Sequence, residues 1–461
     1  DRMIEKYYNG VIEQVAGGIG NVEHNSILVR YSNDFSIWDL ESVNHYKDQT
    51  DIFFTCHEFS YNKIAEAYEP YLGLIRQMFH KYCSGTLEEF MEECDVYKLQ
   101  RPVFESYFEK GFCERTEQIL IDEVEYEQER MHSSIVTMLQ KLSEICPIVI
   151  VLNRFQLASK STMQLTNRLL QTKNKNIGIV LGVNDVQSIP EFAHEEWDAI
   201  CESMDDRNMV YHIGNAGRNM EPDVMDYYSD YESDDGYRKL NNLVYFLDFD
   251  QADHHLSKIE RRIKFDNFTI SEKKHYQLLL LQIMVSVLQR DIAKALESCE
   301  DLEKLQDQEK EGAFYYNFWM ATSYMYLGKL EEAMIYVQKA KECGEALGDD
   351  FLVFRAELLK AQNQMSGWCN IFFCAQDIEI SDKLIEKLNA YHYKNHLAHI
   401  YIYAYDNKPE IVAKAYRSEA FLIYFSKGVA LAKEIGNEQL ISIAYRKNIM
   451  IASTNGEYEV S

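Results

Sequence analysis

The sequence has little proline and little glycine, with 6 and 20 among its 461 residues. Both residues mark turns and interrupt helices, so their scarcity excludes a chain of many short strands and predicts long helices. The sequence also lacks any run of the roughly 20 apolar residues that a membrane-spanning helix needs. With 46% hydrophobic and 26% charged residues, it is typical of a folded protein of about two to three domains.

Positive charge is also scarce, since 47 Lys and Arg stand against 74 Asp and Glu, a formal net charge of −27. Binding to a phosphate backbone needs clustered cations, so we expect neither a nucleic-acid partner nor an anionic membrane partner. The 10 cysteines have scattered spacings, and no signal peptide precedes them. We therefore expect reduced thiols and a cytoplasmic protein.

The first 200 residues alternate between short apolar runs and helical patterns. Residues 2–16 form an amphipathic helical pattern, and further helices are expected over 62–83, 87–98 and 114–145. The apolar runs typical of buried strands are residues 27–31, 51–56, 147–153 and 177–183. This alternation predicts an α/β domain with a parallel sheet.

Two positions in this domain correspond to the phosphate-binding loop and the metal-binding residue of a nucleotide site. The loop after the first strand contains Asn33, Asp34, Phe35 and Ser36, without the glycine and lysine of a phosphate-binding loop. Asn153 and Arg154 end the third strand, where a phosphoryl-transfer enzyme places a carboxylate for Mg²⁺. We predict a degenerate site that does not hydrolyse nucleotide and has no cofactor. Two alternatives stay open: ATP or ADP binds without turnover, or another loop binds ATP.

The glycine-rich residues 17–21 resemble a phosphate loop, but no strand precedes them, so a helix-ending turn is the preferred interpretation. Residues 220–237 contain seven acids among several tyrosines. Like charges at this density oppose compaction, which predicts a mobile linker at a domain boundary. A docking site for a basic partner is the alternative.

From residue 241 the pattern is helix after helix. Residues 317–340 follow tetratricopeptide (TPR) spacing, and residues 288–295 resemble residues 326–333 at a spacing of 38. Residues 346–350 and 434–438 are 88 apart, which indicates two repeats of 44. Stacked helix pairs leave a groove for a peptide or protein. The candidate contacts are Tyr316, Asn317, Met320 and Ser323.

Three histidines have a spacing that can chelate a metal, since His392, His396 and His399 stand at i, i+4 and i+7. No glutamate accompanies them in a His-Glu-x-x-His pattern, so an ordinary helix surface is the preferred reading. Cys369 and Cys374 lack a partner pair, so no zinc site is predicted.

Four motifs, in order, resemble the STAND branch of AAA-like ATPases. They are the opening Asp-Arg-Met-Ile-Glu, the stretch Tyr-Glu-Pro-Tyr-Leu-Gly-Leu at 68–74, the third strand with Phe155-Gln156, and the strand at 179–184. The resemblance covers about residues 1–200 and implies a P-loop-like fold. In bacterial signalling and transcriptional regulators of this family, TPR arrays follow that domain.

Together these patterns predict a P-loop-like α/β domain over 1–218, an acidic linker over 219–240 and an all-α TPR-like superhelix over 241–461. The function expected is that of a regulatory or scaffold protein that binds a protein partner. The alternative is an active ATP-binding STAND ATPase that acts as a signalling switch. The resemblance also leaves open a longer protein with a diguanylate cyclase or kinase output domain.

Overall fold

The computed structural model describes residues 2–32, 36–185, 189–207, 209–213, 227–366, 382–403 and 419–454. The chain forms two compact units, each built from separate stretches of sequence. The first consists of Asp1–Val96, Val103–Glu114 and Glu127–Ile259. The second consists of Tyr97–Pro102, Arg115–Tyr126 and Glu260–Ser461. The predicted limits of 218 and 240 differ from this division, because residues 241–259 belong to the first unit.

The first unit is organised around a parallel sheet, which has five strands in the described residues. The strands are β1 (Ser26–Tyr31), β2 (Phe53–Glu58), β3 (Ile148–Asn153), β4 (Ile177–Asn184) and β5 (Val210–Ile213). Their order across the sheet is β2-β3-β4-β1-β5. Because all pairings are parallel, the carboxyl ends of the strands lie along one edge.

The middle strands are buried along their whole length, as every residue of β3 and β4 is. Strands covered on both faces have continuous apolar sequences, which explains why the sequence indicated them clearly. The register places Glu58 opposite Asn153 and Tyr31 opposite Asn184. Side chains that end four neighbouring strands are thereby brought together at the carboxyl edge.

Eleven helices begin before residue 260 in the described part of the chain. They are α1 (Arg2–Gly18), α2 (Glu41–Lys47), α3 (Tyr71–Tyr82), α4 (Leu87–Glu93), α5 (Arg101–Lys110), α6 (Val124–Ile145), α7 (Lys160–Gln171), α8 (His194–Asp206), α9 (Tyr228–Glu232), α10 (Asp234–Tyr245) and α11 (Phe249–Phe265). The apolar face of α1, including Tyr8, Ile12 and Val15, packs into the core under β1, β3 and β4. Gly178 in β4 permits this approach, because a Cβ there would lie 2.7 Å from Val15 Cγ1.

Several local predictions were wrong. The helix expected over 62–83 begins only at Tyr71, because Pro70 favours a helix start and Tyr68 adopts a positive φ of 55°. The short strand β5 was missed. The described part of the predicted acidic linker is helical rather than a loop, and its Tyr231 is buried. Residues 219–226 of that predicted linker lie outside the described residues.

The second unit contains stacked helices. After residue 266 the described helices are α12 (Glu272–Leu288), α13 (Ile292–Leu305), α14 (Gly312–Tyr326), α15 (Leu330–Leu347), α16 (Asp350–Ser366), α17 (Asp382–Ala390), α18 (Lys394–Tyr403), α19 (Glu419–Ile435) and α20 (Glu438–Thr454). Successive apolar clusters join α12 to α14, α14 to α16, α16 to α18 and α18 to α20. The predicted fold class, a parallel α/β domain followed by TPR-like helices, is confirmed.

The helical turns recur at the spacings indicated by the sequence. Arg290 and Gly328, 38 residues apart, both adopt positive φ angles where a helix pair turns. Gly348, His392 and Gly436 do the same between pairs, at intervals of 44. In each case the amide after the positive-φ residue bonds back to the preceding helix, as Asn437 does to the Ala432 carbonyl at 2.9 Å. Among the described helices, none is long and apolar enough to cross a membrane.

Candidate functional site

Asn153 and Arg154, two of the predicted nucleotide positions, lie at the carboxyl edge of the sheet, where ligands of open α/β sheets bind. Asn33, Asp34 and Phe35 lie outside the described residues. Ser36 is exposed, and its hydroxyl accepts a bond of 3.4 Å from the Trp38 amide. Asn153 ends β3, and Arg154 follows it.

Asn153 is buried, and both ends of its side-chain amide form hydrogen bonds. Its Oδ1 accepts a hydrogen bond of 2.7 Å from the Tyr31 hydroxyl, at the end of β1. Its Nδ2 donates a bond of 2.9 Å to Glu58 Oε2, at the end of β2. An amide can offer a metal ion only its oxygen, and that oxygen already has a donor in Tyr31. The side chain therefore ties three strand ends together.

Glu58 is the carboxylate of this edge that the sequence analysis missed. The Ile37 amide donates to its Oε2 at 3.0 Å, and Arg154 Nη1 lies 3.3 Å from its Oε1. The available signal was an acidic residue at the end of the neighbouring strand, one register position across from Asn153. The nearest carboxylate is thus neutralised by the arginine that follows Asn153.

Arg154 is held in place by its backbone and by its side chain. Its φ and ψ of 57° and 41° lie in the left-handed region, which is uncommon for a residue other than glycine. Its guanidinium carbon lies 4.7 Å from the centre of the Tyr61 ring, a cation–π arrangement. Together with the Glu58 ion pair, this stacking places a fixed positive charge at the carboxyl end of β3.

Tyr8, a buried residue of α1, packs against this edge of the sheet. Burial, followed by the neighbouring Tyr31, raises the pKa of Tyr8 well above its usual value, so its hydroxyl stays neutral. Gly182 in β4 makes room for it, because a Cβ there would lie 2.3 Å from Tyr8 Oη and 2.6 Å from Asn153 Oδ1. The packing is tight enough that a single methyl group would disturb it.

A polar cavity of about 320 Å³ lies beside Glu58 at the end of β2. Within it Arg238 lies 2.8 Å from Glu66, and His57 lies 3.0 Å from Glu69. Burial raises the pKa of Glu66, although Arg238 opposes this effect. Burial also acts to raise the pKa of Glu69, but the hydrogen bond and charge of His57 outweigh it, and the pKa is lowered.

The predicted acidic linker contributes to the wall of this cavity. Asp230 accepts a bond of 2.7 Å from the Ile64 amide and lies 3.0 Å from Lys239 Nζ. Asp235 lies 3.3 Å from the same ammonium. These acids therefore have internal partners in the described segment, and they stabilise its helices instead of opposing their compaction.

The predicted partner contacts on α14 are mostly inaccessible. Asn317 and Met320 are each 8% exposed, and Ser323 is fully buried. Asn317 donates to the Ala313 carbonyl at 2.8 Å, and Met320 lies in the cluster that joins α12 to α14. Only Tyr316 is half-buried, with its ring 6.4 Å from that of Tyr336. Three of the four predicted contacts are therefore buried, because neighbouring helices cover this side of α14.

The three histidines do not share one helix face. His392 lies in the turn before α18, with a positive φ of 59°, whereas His396 and His399 lie on the helix. Both helical imidazoles bond to carboxylates, Glu117 and Glu123. Within the described ranges, no group of three or more His, Cys, Asp or Glu side chains has an arrangement suited to a metal ion.

No protein-family model matches the chain, and no curated protein matches it either. Among solved structures, it is similar to a Signal Transduction ATPase with Numerous Domains (STAND) protein with a tetratricopeptide repeat sensor, from Pyrococcus horikoshii. The identity is 11%, the TM-score is 0.44, and the match covers 99% of this chain and 80% of that one.

Proposed function

We propose that this chain is a regulatory protein that binds a protein or peptide partner through its stacked helices. Its α/β unit serves as a scaffold and does not hydrolyse nucleotide. The partner is neither a nucleic acid nor a membrane, in keeping with the net charge of −27. We place the protein in the cytoplasm.

One observation carries the proposal for the α/β unit: the Asn153 amide is bonded on both sides, to Tyr31 and to Glu58. A magnesium ion at this strand end would have to share the amide oxygen with the Tyr31 hydroxyl, and a neutral amide is a weaker ligand than a carboxylate. It would also lie close to the guanidinium of Arg154, which is paired with Glu58. Phosphoryl transfer depends on metal ions that neutralise developing charge, so this geometry favours a scaffold.

The helical unit supports the second part of the proposal. Each pair of helices shares its apolar residues with the next pair, from α12 to α20. Arrays of this kind present extended surfaces, which generally bind peptides or proteins. The partner surface lies elsewhere than at Asn317, Met320 and Ser323, which are buried.

The test is titration of the full chain with ATP, with and without Mg²⁺, by calorimetry, together with an assay for released phosphate. We expect no magnesium-dependent binding and no turnover. Tight binding of ATP or ADP without phosphate release would replace the scaffold by a nucleotide-sensing unit. Magnesium-dependent turnover would favour the alternative of an active ATPase switch and would overturn the proposal.

A further inference from the structure

The strongest polar cluster outside the sheet lies within the second unit, where residues 115–126 meet α18 and the start of α20. This stretch, here called the acidic segment of the array, contains two buried carboxylates, Glu117 and Glu123, which are 5% and 2% exposed. A buried carboxylate is unfavourable unless hydrogen-bond donors surround it.

Glu117 binds to the first turn of α18. Its carboxylate accepts bonds from the backbone amides of Asn395, at 3.3 Å, and His396, at 2.6 Å. The His396 Nδ1 is a third donor, at 2.6 Å. A helix N-terminus attracts negative charge through its free amides and its dipole, and Glu117 occupies that position.

Glu123 binds to side chains from two successive repeats. Asn395 Nδ2 donates to it at 2.8 Å, Asn437 Nδ2 at 2.8 Å, and His399 Nε2 at 2.6 Å. Burial acts to raise the pKa of Glu123, but these bonds and the His399 charge outweigh it and lower the pKa to about 2. The carboxylate is therefore ionised under ordinary conditions.

The donors are arranged by the array itself. Asn437 bonds to Asn395 Oδ1 at 2.8 Å, and its own Oδ1 caps α20 through the Leu440 amide at 3.0 Å. Asn395, His396 and Asn437 are at most 2% exposed. Without the acidic segment, these side chains would lose their carboxylate acceptors. These residues form a preorganised site for two carboxylates.

A cavity next to this site has cations in its lining. It measures about 210 Å³ and borders Glu117. Lys98 and Lys394, which lie outside the acidic segment, line it, and Lys394 is ion-paired with Glu434. In a chain with a net charge of −27, Lys98 therefore adds a positive charge beside a bound carboxylate. A second acidic chain would be attracted to it.

We propose that the first turn of α18 and Asn437 form a binding site for an acidic peptide, which the chain fills with its own residues 117–123. A partner with two carboxylates at the same spacing competes with the acidic segment for Asn395, His396, His399 and Asn437. Residues 117–123 thus occupy a site that also accepts the partner. The inference rests on the proposed function, because it names the chemistry of the partner that the helices bind.

The probe is a synthetic peptide of residues 115–126 with blocked ends and a fluorescent label, followed by anisotropy with the full chain. The chain with Glu117→Gln and Glu123→Gln should bind it at least tenfold more tightly than the unchanged chain, whose site is occupied. A chain with Asp122→Asn and Glu125→Gln, two exposed acids of the same segment, is the matched control and should bind like the unchanged chain.

A second peptide, with Gln in place of both buried glutamates, should not bind the variant chain. Equal binding of both peptides, or no binding of the acidic one to a folded variant, would overturn the inference. If the variant does not fold, hydrogen exchange of the unchanged chain decides. Excess acidic peptide should accelerate exchange at residues 118–122, and no acceleration would also overturn it. Neither measurement involves nucleotide, so failure here is distinct from failure of the scaffold proposal.

Discussion

The carboxyl edge of the sheet and the acidic segment of the array both bind carboxylates, but they hold them differently. Glu58 is bound by strand neighbours and an arginine, all fixed by the register of the sheet. Glu117 and Glu123 precede α6, in a stretch with one short 3-10 turn, Ile121–Glu123, and are bound by residues about 270 to 310 positions later. The first arrangement cannot open without breaking the sheet, whereas the second can exchange its acid for another.

The largest expected effect comes from adding a charge to the sheet edge. Asn153→Asp would place a second carboxylate 2.9 Å from Glu58 at a fully buried position. We expect the free energy of unfolding to fall by about 3 to 5 kcal/mol, the usual cost of an uncompensated buried charge. Urea unfolding measures it. Asn44→Asp, on the exposed face of α2, should change stability by less than about 0.5 kcal/mol. Equal effects of the two substitutions would show that the network has no energetic role.

The next effect tests the acidic segment through pH. The folded pKa of Glu123, about 2, lies below its ordinary value of 4.5, so its contribution to stability is present above pH 4.5 and is lost as pH falls towards 2. Glu123→Gln should therefore cost about 3 kcal/mol near pH 6, at about 1.4 kcal/mol per pKa unit, and much less near pH 2.5. Urea unfolding of both chains at the two pH values checks this. A pH-independent difference would contradict the charge argument.

A smaller effect is expected where α1 packs on the sheet. Gly182→Ala would force a methyl group against Tyr8 and Asn153, at 2.3 and 2.6 Å. Overpacking of this kind costs about 1 to 3 kcal/mol. Gly10→Ala, on the exposed side of α1 with open space around it, should instead stabilise the chain by up to about 1 kcal/mol. Thermal unfolding of both variants checks the opposite signs, and two changes of the same sign would refute the packing account.

The smallest expected effect concerns Asp122, an exposed acid of the same segment as the buried Glu123. Asp122 neighbours Glu123 but is exposed, and its ion pair with Arg290 at 2.9 Å lies in solvent. Such pairs contribute about 0 to 1 kcal/mol, so Asp122→Asn should leave the unfolding midpoint nearly unchanged. A loss comparable to that of Glu123→Gln would mean that the segment's acids act as one surface rather than through two buried groups.

Sequence reasoning found the strands that are buried on both faces and missed what depends on partners far along the chain. β3 and β4 are continuous apolar runs, which explains their recognition, while β5 has only four residues. The interval of 44 was correct because glycine marks two of its three turns. At the third turn His392 adopts the same backbone conformation without that marker.

The candidate site was predicted only in part for a related reason. Asn153 and Arg154 were identified by their position after a buried strand, but Glu58 joins them through register. Met320 and Ser323, predicted to contact a partner, are buried, because helix spacing alone does not say which side a neighbouring helix will cover. Glu117 and Glu123 had no local signal at all, because their donors come from repeats near the other end of the chain.

The sequence by itself determined the alternation of strands and helices, the repeating turns, the charge balance and the absence of an acidic residue at the end of β3. These features depend on neighbours within a few positions, where apolar period and residue type are sufficient. Only the tertiary structure decided that Asn153 is bonded on both sides, that Arg154 neutralises Glu58, and that two glutamates fill a site on α18. A hydrogen bond between distant residues depends on where the backbone brings them, and no local pattern encodes that distance.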